Sequence, residues 1–153
     1  MNKRTILSIL AFSLIFTLGC KKTFPELTPP DEEKLIKDYV AINHPNAIRD
    51  ESGMYYQVIT PGDGAANDIT SSVNLNYTAK ILNGNQFDAG SNKSFVVQNV
   101  FRAWQIALPK IKPGGKIIIF VPSLLAYGKF TPKPEIPEYA TLIFELELIG
   151  YLK

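Results

Sequence analysis

Residues 73–81, VNLNYTAKI, alternate apolar and polar side chains along their whole length. A repeat of two predicts a β-strand with one face buried and the other exposed to water. The pair Asn83-Gly84 follows almost directly and favours a tight hairpin turn. Gln86-Phe87 is therefore expected to begin a second strand, antiparallel to the first.

The chain on either side of this hairpin carries three more strand patterns and one helical pattern. Phe101, Trp104 and Leu108 have helical spacing, and prolines and glycines follow them. These elements predict an α+β fold, in which one short helix packs on an antiparallel sheet. The predicted strands are residues 54–59, 117–121 and 141–150, the helix is 101–108, and the domain is 51–153.

The first nineteen residues have the pattern of an export signal. Lys3 and Arg4 precede fifteen residues without a charge, Thr5 to Gly19. A bilayer-spanning helix needs about 20 apolar residues, whereas this length suits the apolar part of a secretory signal. Residues 1–19 are therefore predicted to be a signal peptide, with a buried or membrane helix as the alternative.

Cys20 is the single cysteine of the chain and stands where the apolar run stops. With the small residue Gly19 before it, it resembles the lipobox of bacterial lipoproteins, in which the signal is removed and the cysteine is acylated. The resemblance implies an extracytoplasmic protein, lipid-anchored to a bacterial envelope membrane and facing the periplasm. Residues 20–30 contain three prolines and are predicted to form an extended tether.

A second helix is predicted between the tether and the sheet, within residues 31–50. Asp31-Glu32-Glu33 offers an N-cap and an acidic first turn. Apolar residues from Leu35 to Ile42 then follow at helical spacing, and Pro45 ends the helix.

Several kinds of chemistry are excluded by composition. Lys3 and Arg4 account for the net charge of +2, so the rest of the chain is neutral and no basic surface for nucleic acid is expected. His44 is the only histidine, which argues against a Ser-His-Asp or Cys-His site; a solvent-facing position is expected for it. No metal site and no cofactor are expected.

Five phrases in the second part of the chain, in order and with compatible spacing, resemble the FKBP-type peptidyl-prolyl cis-trans isomerases. The similarity covers roughly residues 54–150. The helix ahead of the domain also resembles lipoprotein members of that family. The phrases are VNLNYT (73–78) with LNGNQFD (82–88), VFRAW (100–104), KPGGK (112–116), VPSLLAYG (121–128), and IP (136–137) with ATLIFELEL (140–148).

This resemblance implies a half-barrel sheet wrapped around the short helix, with a hollow between them that binds a prolyl residue. Trp104 would form its floor, and the Tyr127 hydroxyl and the Phe101 N–H would donate to substrate carbonyls. Asp88 would lie at the rim near Tyr77. The implied catalytic residues are Tyr77, Phe87, Asp88, Trp104, Tyr127 and Phe144, and the implied substrate-binding residues are Phe95, Val100, Phe101 and Ile136.

The implied activity is isomerisation of X-Pro bonds in proline-containing polypeptides, with macrolides as further ligands. The alternative is a binding module or holdase of weak or no activity in a membrane-tethered assembly, favoured by the bulk of Phe101 at the pocket entrance. A third possibility is an anchored spacer. Asp88 could also be an ordinary turn residue, and Lys93 is the cation nearest to it along the chain.

Overall fold

The computed structural model describes residues 29–82 and 84–152. They form one antiparallel sheet, a longer helix at the N-terminal end and a short helix between the fourth and fifth strands. In chain order the elements are α1 (Pro29–Asn43), β1 (Ile48–Arg49), β2 (Tyr55–Thr60), β3 (Ser72–Ile81), β4 (Gln86–Val96), α2 (Arg102–Ala107), β5 (Lys116–Val121) and β6 (Leu142–Leu152).

The six strands lie in the order β1-β2-β5-β6-β3-β4, and every neighbouring pair is antiparallel. The hairpin predicted from residues 73–87 is β3 and β4, with Ala79 opposite Asp88. β3 also pairs along its whole length with β6, so it is an interior strand. The predicted α+β fold is thus confirmed.

The alternation along the strands sorts their side chains onto two faces. On the inner face, the apolar residues of β3, β5 and β6 pack against α2, where Ala103 and Ala107 are fully buried. This cluster includes Leu142, Phe144, Leu146 and Leu148, as the alternation predicted. The main core therefore lies between the sheet and the short helix.

The outer face carries a smaller cluster that α1 covers. Ile36 and Val40 of α1 pack with Tyr55, Phe120 and Ile143 of the sheet, and Ile36 has no exposed surface. These strand residues alternate with the inner-face residues of β2, β5 and β6. The N-terminal helix is thus packed on the back of the sheet and is part of the folded unit.

Two details at this end differ from expectation. α1 begins at Pro29, two residues inside the predicted tether, because proline is tolerated in the first turn of a helix. His44 is half-buried instead of solvent-facing: its ring lies 4.8 Å from that of Phe120, and its Nδ1 lies 3.3 Å from Gln57 Oε1.

The predicted signal peptide, Cys20 and most of the predicted tether lie outside the described residues, so they stay predictions. Within the described residues, no helix is both long and apolar enough to cross a membrane.

Candidate active site

A cavity of about 400 Å³ opens on the inner face, between α2, the β3–β4 hairpin and the segment that follows β5. Its lining is mainly aromatic. Trp104 projects from α2 and is 4% exposed. The lining residues are Tyr77, Ala79, Phe87, Asp88, Phe95, Asn99, Val100, Phe101, Trp104, Tyr127 and Phe144.

Trp104 is the centre of an aromatic cluster. The ring centroids of Tyr77 and Phe95 each lie 5.4 Å from that of Trp104, and that of Phe144 lies 5.5 Å away. All three rings stand edge-to-face to the indole, the arrangement that the aromatic quadrupole favours. Among the described residues, the buried Trp104 Nε1 has no hydrogen-bond partner. The floor of the cavity is thus closely packed and mainly apolar, with one N–H donor that has no partner in the described part of the chain.

The entry to α2 is fixed by a side chain of the helix itself. Gln105 Nε2 donates to the carbonyl oxygens of Gln98 and Val100, at 3.1 and 3.0 Å. Phe101 precedes the first helical residue, and its carbonyl accepts from the Trp104 and Gln105 amides. The N–H of a residue in this position has no partner within the helix. Whether it donates to a substrate carbonyl, as the resemblance implies, stays a prediction.

Tyr77 and Asp88 face each other across the β3–β4 hairpin. The Tyr77 hydroxyl donates to Asp88 Oδ2 at 3.2 Å, and Asp88 lies within strand β4, not in a turn. A Cβ on Gly90 would lie 2.4 Å from the Tyr77 ring, so only glycine leaves room for the ring there. Burial raises the pKa of Tyr77, and the Asp88 carboxylate raises it further. Tyr77 is therefore a neutral phenol at physiological pH.

Tyr127 lies on the opposite wall, in the segment between β5 and β6. Its ring centroid lies 4.7 Å from that of Phe101 and 6.4 Å from that of Phe87. Burial raises the pKa of Tyr127, with a further contribution from Asp88. Its hydroxyl thus keeps its proton and can donate a hydrogen bond to a carbonyl at the cavity mouth.

Lys133 is a rim residue that the sequence reasoning missed. Its Nζ donates to the Phe87 carbonyl oxygen at 2.7 Å and lies 4.0 Å from Asp88 Oδ1. The cation near Asp88 is thus Lys133, from the segment after Tyr127, and not Lys93. Nothing in the local sequence around Lys133 signals this contact, because its partners lie more than forty residues away along the chain.

Nine of the ten predicted pocket residues line the cavity, which brings them together as a group. Ile136 is the exception. It is 1% exposed within the core and is not among the residues that line the cavity. Ala79 and Asn99 line it although they were not predicted. Across residues 29–82 and 84–152, no group of three or more His, Cys, Asp or Glu side chains is placed to hold a metal ion.

Comparison with known proteins places this arrangement in a family. Residues 64–149 match the sequence profile described as FKBP-type peptidyl-prolyl cis-trans isomerase. The chain is 37% identical over 106 residues to the FKBP-type 22 kDa peptidyl-prolyl cis-trans isomerase of Escherichia coli K12, covering 67% of this chain and 52% of that protein. It is 33% identical over 115 residues to Mip of Coxiella burnetii, covering 72% and 50%.

Solved structures agree with the sequence matches. FkpA from Escherichia coli superposes with a TM-score of 0.71 at 31% identity, over 80% of this chain and 58% of FkpA. A peptidyl-prolyl cis-trans isomerase from Pseudomonas syringae superposes with a TM-score of 0.72 at 25% identity, over 85% of this chain and all of that one. By sequence, the chain spans about half the length of the 22 kDa isomerase and of Mip.

Proposed function

The chain belongs to the family of FKBP-type peptidyl-prolyl cis-trans isomerases, and we propose that its cavity isomerises X-Pro bonds in extracytoplasmic polypeptides. The observation that carries the proposal is the cavity itself. Trp104 lies at the centre of an aromatic cluster, and two protonated phenols, Tyr77 and Tyr127, line the same cavity. The relatives named as isomerases of this type support the activity.

The reaction needs no acid, base or metal. Amide resonance sets a barrier of about 18–20 kcal/mol to rotation about the peptide bond. In the twisted transition state the amide has less charge separation than in the planar ground state, so an apolar cavity favours the transition state relative to water. About 1.4 kcal/mol of such preference gives a tenfold acceleration. The aromatic floor around Trp104 supplies this environment.

The polar groups at the rim would orient the substrate. The Tyr127 hydroxyl and the Phe101 N–H would donate to carbonyl groups on either side of the prolyl residue, which would sit over Trp104. Asp88 holds the Tyr77 hydroxyl at 3.2 Å and would keep the ring fixed as a wall. Each group acts by holding geometry, and none transfers a proton.

A second candidate function rests on Phe101. Its ring packs edge-to-face on Tyr127 and also lies 6.0 Å from Phe144, and its bulk would narrow the cavity entrance. In a binding module or holdase the same cavity would retain a proline-containing partner without accelerating its isomerisation.

An isomerisation assay on the full chain separates the two candidates. We expect turnover of proline peptides that differ in the preceding residue, inhibition by a macrolide, and a lower kcat/KM for Tyr127→Phe, which removes only the hydroxyl. Trp104 is the only tryptophan, so its fluorescence reports on peptide binding independently of turnover. Peptide binding without catalysis of any peptide would favour the binding module.

The proposal includes a location. The charged start, uncharged run and single Cys20 support export and acylation, and the tether would then hold the domain near a membrane. Labelling with radioactive palmitate in a bacterial host tests this. We expect label in the wild-type chain and none in Cys20→Ala, whereas equal labelling of both would contradict the anchor.

A further inference from the structure

Glu32 is a buried acidic residue of α1 that contacts the segment bearing Tyr127. Its side chain is 3% exposed. Oε1 accepts hydrogen bonds from the Ser123 backbone N–H and from Thr141 Oγ1, the latter at 2.9 Å, and Oε2 accepts from Ser123 Oγ at 3.0 Å. Ser123 and Thr141 are themselves 1% and 4% exposed.

Three hydrogen-bond donors converge on the buried carboxyl group of Glu32, so its position is well defined. A carboxyl group is stable away from water only when hydrogen-bond donors replace its hydration. Here every donor comes from outside α1, and from positions 91 and 109 residues further along the chain. Glu32 thus does more than favour the first turn of the helix, which was the role that the sequence indicated.

Ser123 connects Glu32 to the backbone on both sides of Tyr127 through hydrogen bonds. The Ser123 carbonyl oxygen accepts from the Ala126 amide at 3.0 Å and from the Gly128 amide at 2.8 Å. These two amides flank Tyr127 on either side. The backbone position of Tyr127 is therefore set by Ser123, whose own N–H and hydroxyl are held by Glu32.

Thr141 lies at the far end of the chain segment that begins at Ser123 and contains Tyr127. Its carbonyl oxygen accepts from the Leu82 amide at 3.0 Å, and β6 begins at the next residue. Residues 123–141 connect β5 to β6. The first and the last residue of this segment, Ser123 and Thr141, both donate hydrogen bonds to the Glu32 carboxyl group. Tyr127 and Lys133, which reach the cavity rim, both lie in this segment.

We propose that Glu32 is a positioning residue for the isomerase site: it clamps both ends of segment 123–141 and so sets where the Tyr127 hydroxyl lies over the cavity. The proposal rests on the proposed function for its catalytic consequence. It makes the helix next to the tether a part of the active-site architecture, although none of residues 31–43 lines the cavity.

The first test compares Glu32→Ala, Glu32→Gln and Glu33→Ala in the full chain. Glu33 is half-exposed and pairs with Arg49 at 2.9 Å, so its variant controls for loss of a neighbouring carboxyl group. We expect Glu32→Ala to lower kcat/KM of the folded protein by about ten- to a hundredfold, on the order expected from misplacing a group that positions the substrate, with kcat falling more than KM rises. Glu32→Gln keeps one acceptor oxygen and the length of the side chain, so it should retain most of the wild-type activity.

A double-variant cycle tells positioning from a purely structural role. If Glu32 acts through the Tyr127 hydroxyl, Glu32→Ala should change kcat/KM by less than about threefold in a Tyr127→Phe background. Full multiplication of the two effects would overturn the proposal, as would an unchanged kcat/KM in folded Glu32→Ala. Should Glu32→Ala fail to fold, Thr141→Val removes one of the three donors and should show the same pattern at smaller size.

Hydrogen exchange separates failure of the clamp from failure of the proposed activity. In Glu32→Ala the Ala126 and Gly128 amides should exchange faster than in Glu33→Ala, since both bond to Ser123. Faster exchange in a chain without isomerase activity would support the clamp and overturn only the activity. Unchanged exchange would overturn the clamp whatever the activity.

Discussion

The inner and outer faces of the sheet are made by alternate residues of the same strands, yet the apolar cluster of the inner face borders a cavity, whereas α1 closes over the apolar cluster of the outer face. In β6, Phe144 points to the inner cluster and Ile143 to the outer one. Both faces carry aromatic rings: four packed on Trp104 on the inner face, and Tyr39, His44 and Phe120 on the outer one.

The two faces differ in the helix that covers them. α1 has fifteen residues and covers the outer apolar cluster with aliphatic side chains, so that Ile36 is completely buried. α2 has six residues and leaves an opening beside Trp104, which phenol, carboxyl and amine groups border. Aromatic content thus does not by itself make a site here. A site forms where the covering helix is short and the rim carries polar groups. Four substitutions, with their controls, test this difference between the two faces, from the largest to the smallest expected change in the free energy of unfolding.

The largest effect is expected at the floor of the cavity. Trp104→Ala should lower the free energy of unfolding by about 3–5 kcal/mol, because it removes a buried ring that several others pack against. Peptide binding should be lost with it. Urea unfolding followed by circular dichroism measures the first, and calorimetry the second.

Trp104→Phe is the matched control for the floor, since it keeps a ring and loses the indole N–H. Its loss of stability should be clearly smaller than that of Trp104→Ala. If the alanine variant were as stable as the wild type, the inner cluster would not depend on Trp104 and the contrast between the faces would fail.

On the outer face, Ile36→Ala should lower the free energy of unfolding by about 2–4 kcal/mol, because it opens a void between α1 and the sheet. Here kcat/KM per folded molecule should stay within about twofold of wild type, since Ile36 is remote from the cavity lining and Glu32 is unchanged. Ile36→Val, expected to lose about 1 kcal/mol, is the control. A large loss of activity in folded Ile36→Ala would contradict the separation of the two faces.

The fold was predictable where periodicity is strong and less so where elements are short. The alternation in 73–81 and 141–150 fixed the hairpin and β6 with small errors at the ends. β1 has two residues, both exposed, so no repeat could reveal it. Which helix covers which face was also not readable, because both helices offer apolar stripes and the choice is made by packing.

The site was predictable to the extent that short phrases carry it. Trp104, Tyr127 and Asp88 lie in recognisable phrases, and the structure brings them to one cavity. Lys133 and Glu32 have partners 46 and 109 residues away, and such contacts leave no local signal. Ile136 lies in a matching phrase but is buried in the core and is not among the residues that line the cavity, which the phrase alone could not show.

A smaller, pH-dependent effect is expected where the turn before β2 meets the turn that follows α2. Asp50 lies 3.0 Å from Lys110 Nζ. Burial acts to raise the pKa of Asp50, but hydrogen bonds from Ser52 and the ion pair with Lys110 outweigh it and lower the pKa to about 2. Because the folded-state pKa is below the ordinary one, the contribution is present above about pH 4 and lost as the pH falls toward 2.

Urea unfolding of wild type and Asp50→Asn at several pH values isolates this contribution from those of other carboxyl groups. The difference in the free energy of unfolding should be about 1–2 kcal/mol near neutral pH and should shrink below about pH 4. A difference independent of pH would mean that the ion pair with Lys110 does not stabilise the fold.

The smallest change in stability is expected at the rim, where Asp88→Asn should alter the free energy of unfolding by less than about 0.5 kcal/mol, because the Asp88 side chain is 43% exposed. Activity should nevertheless fall, since the amide holds the Tyr77 hydroxyl less firmly than the carboxylate. The pKa of Tyr77 should also move down toward its ordinary value, although burial keeps it raised.

Lys133→Ala is the matched control because it removes the cation at the rim and leaves the carboxylate. Ultraviolet titration of the tyrosines, together with kcat/KM, measures both effects. If Asp88→Asn lowered the free energy of unfolding as much as it raised the activation free energy, Asp88 would be a structural residue, and the rim would then resemble the packed cluster under α1 more than a site.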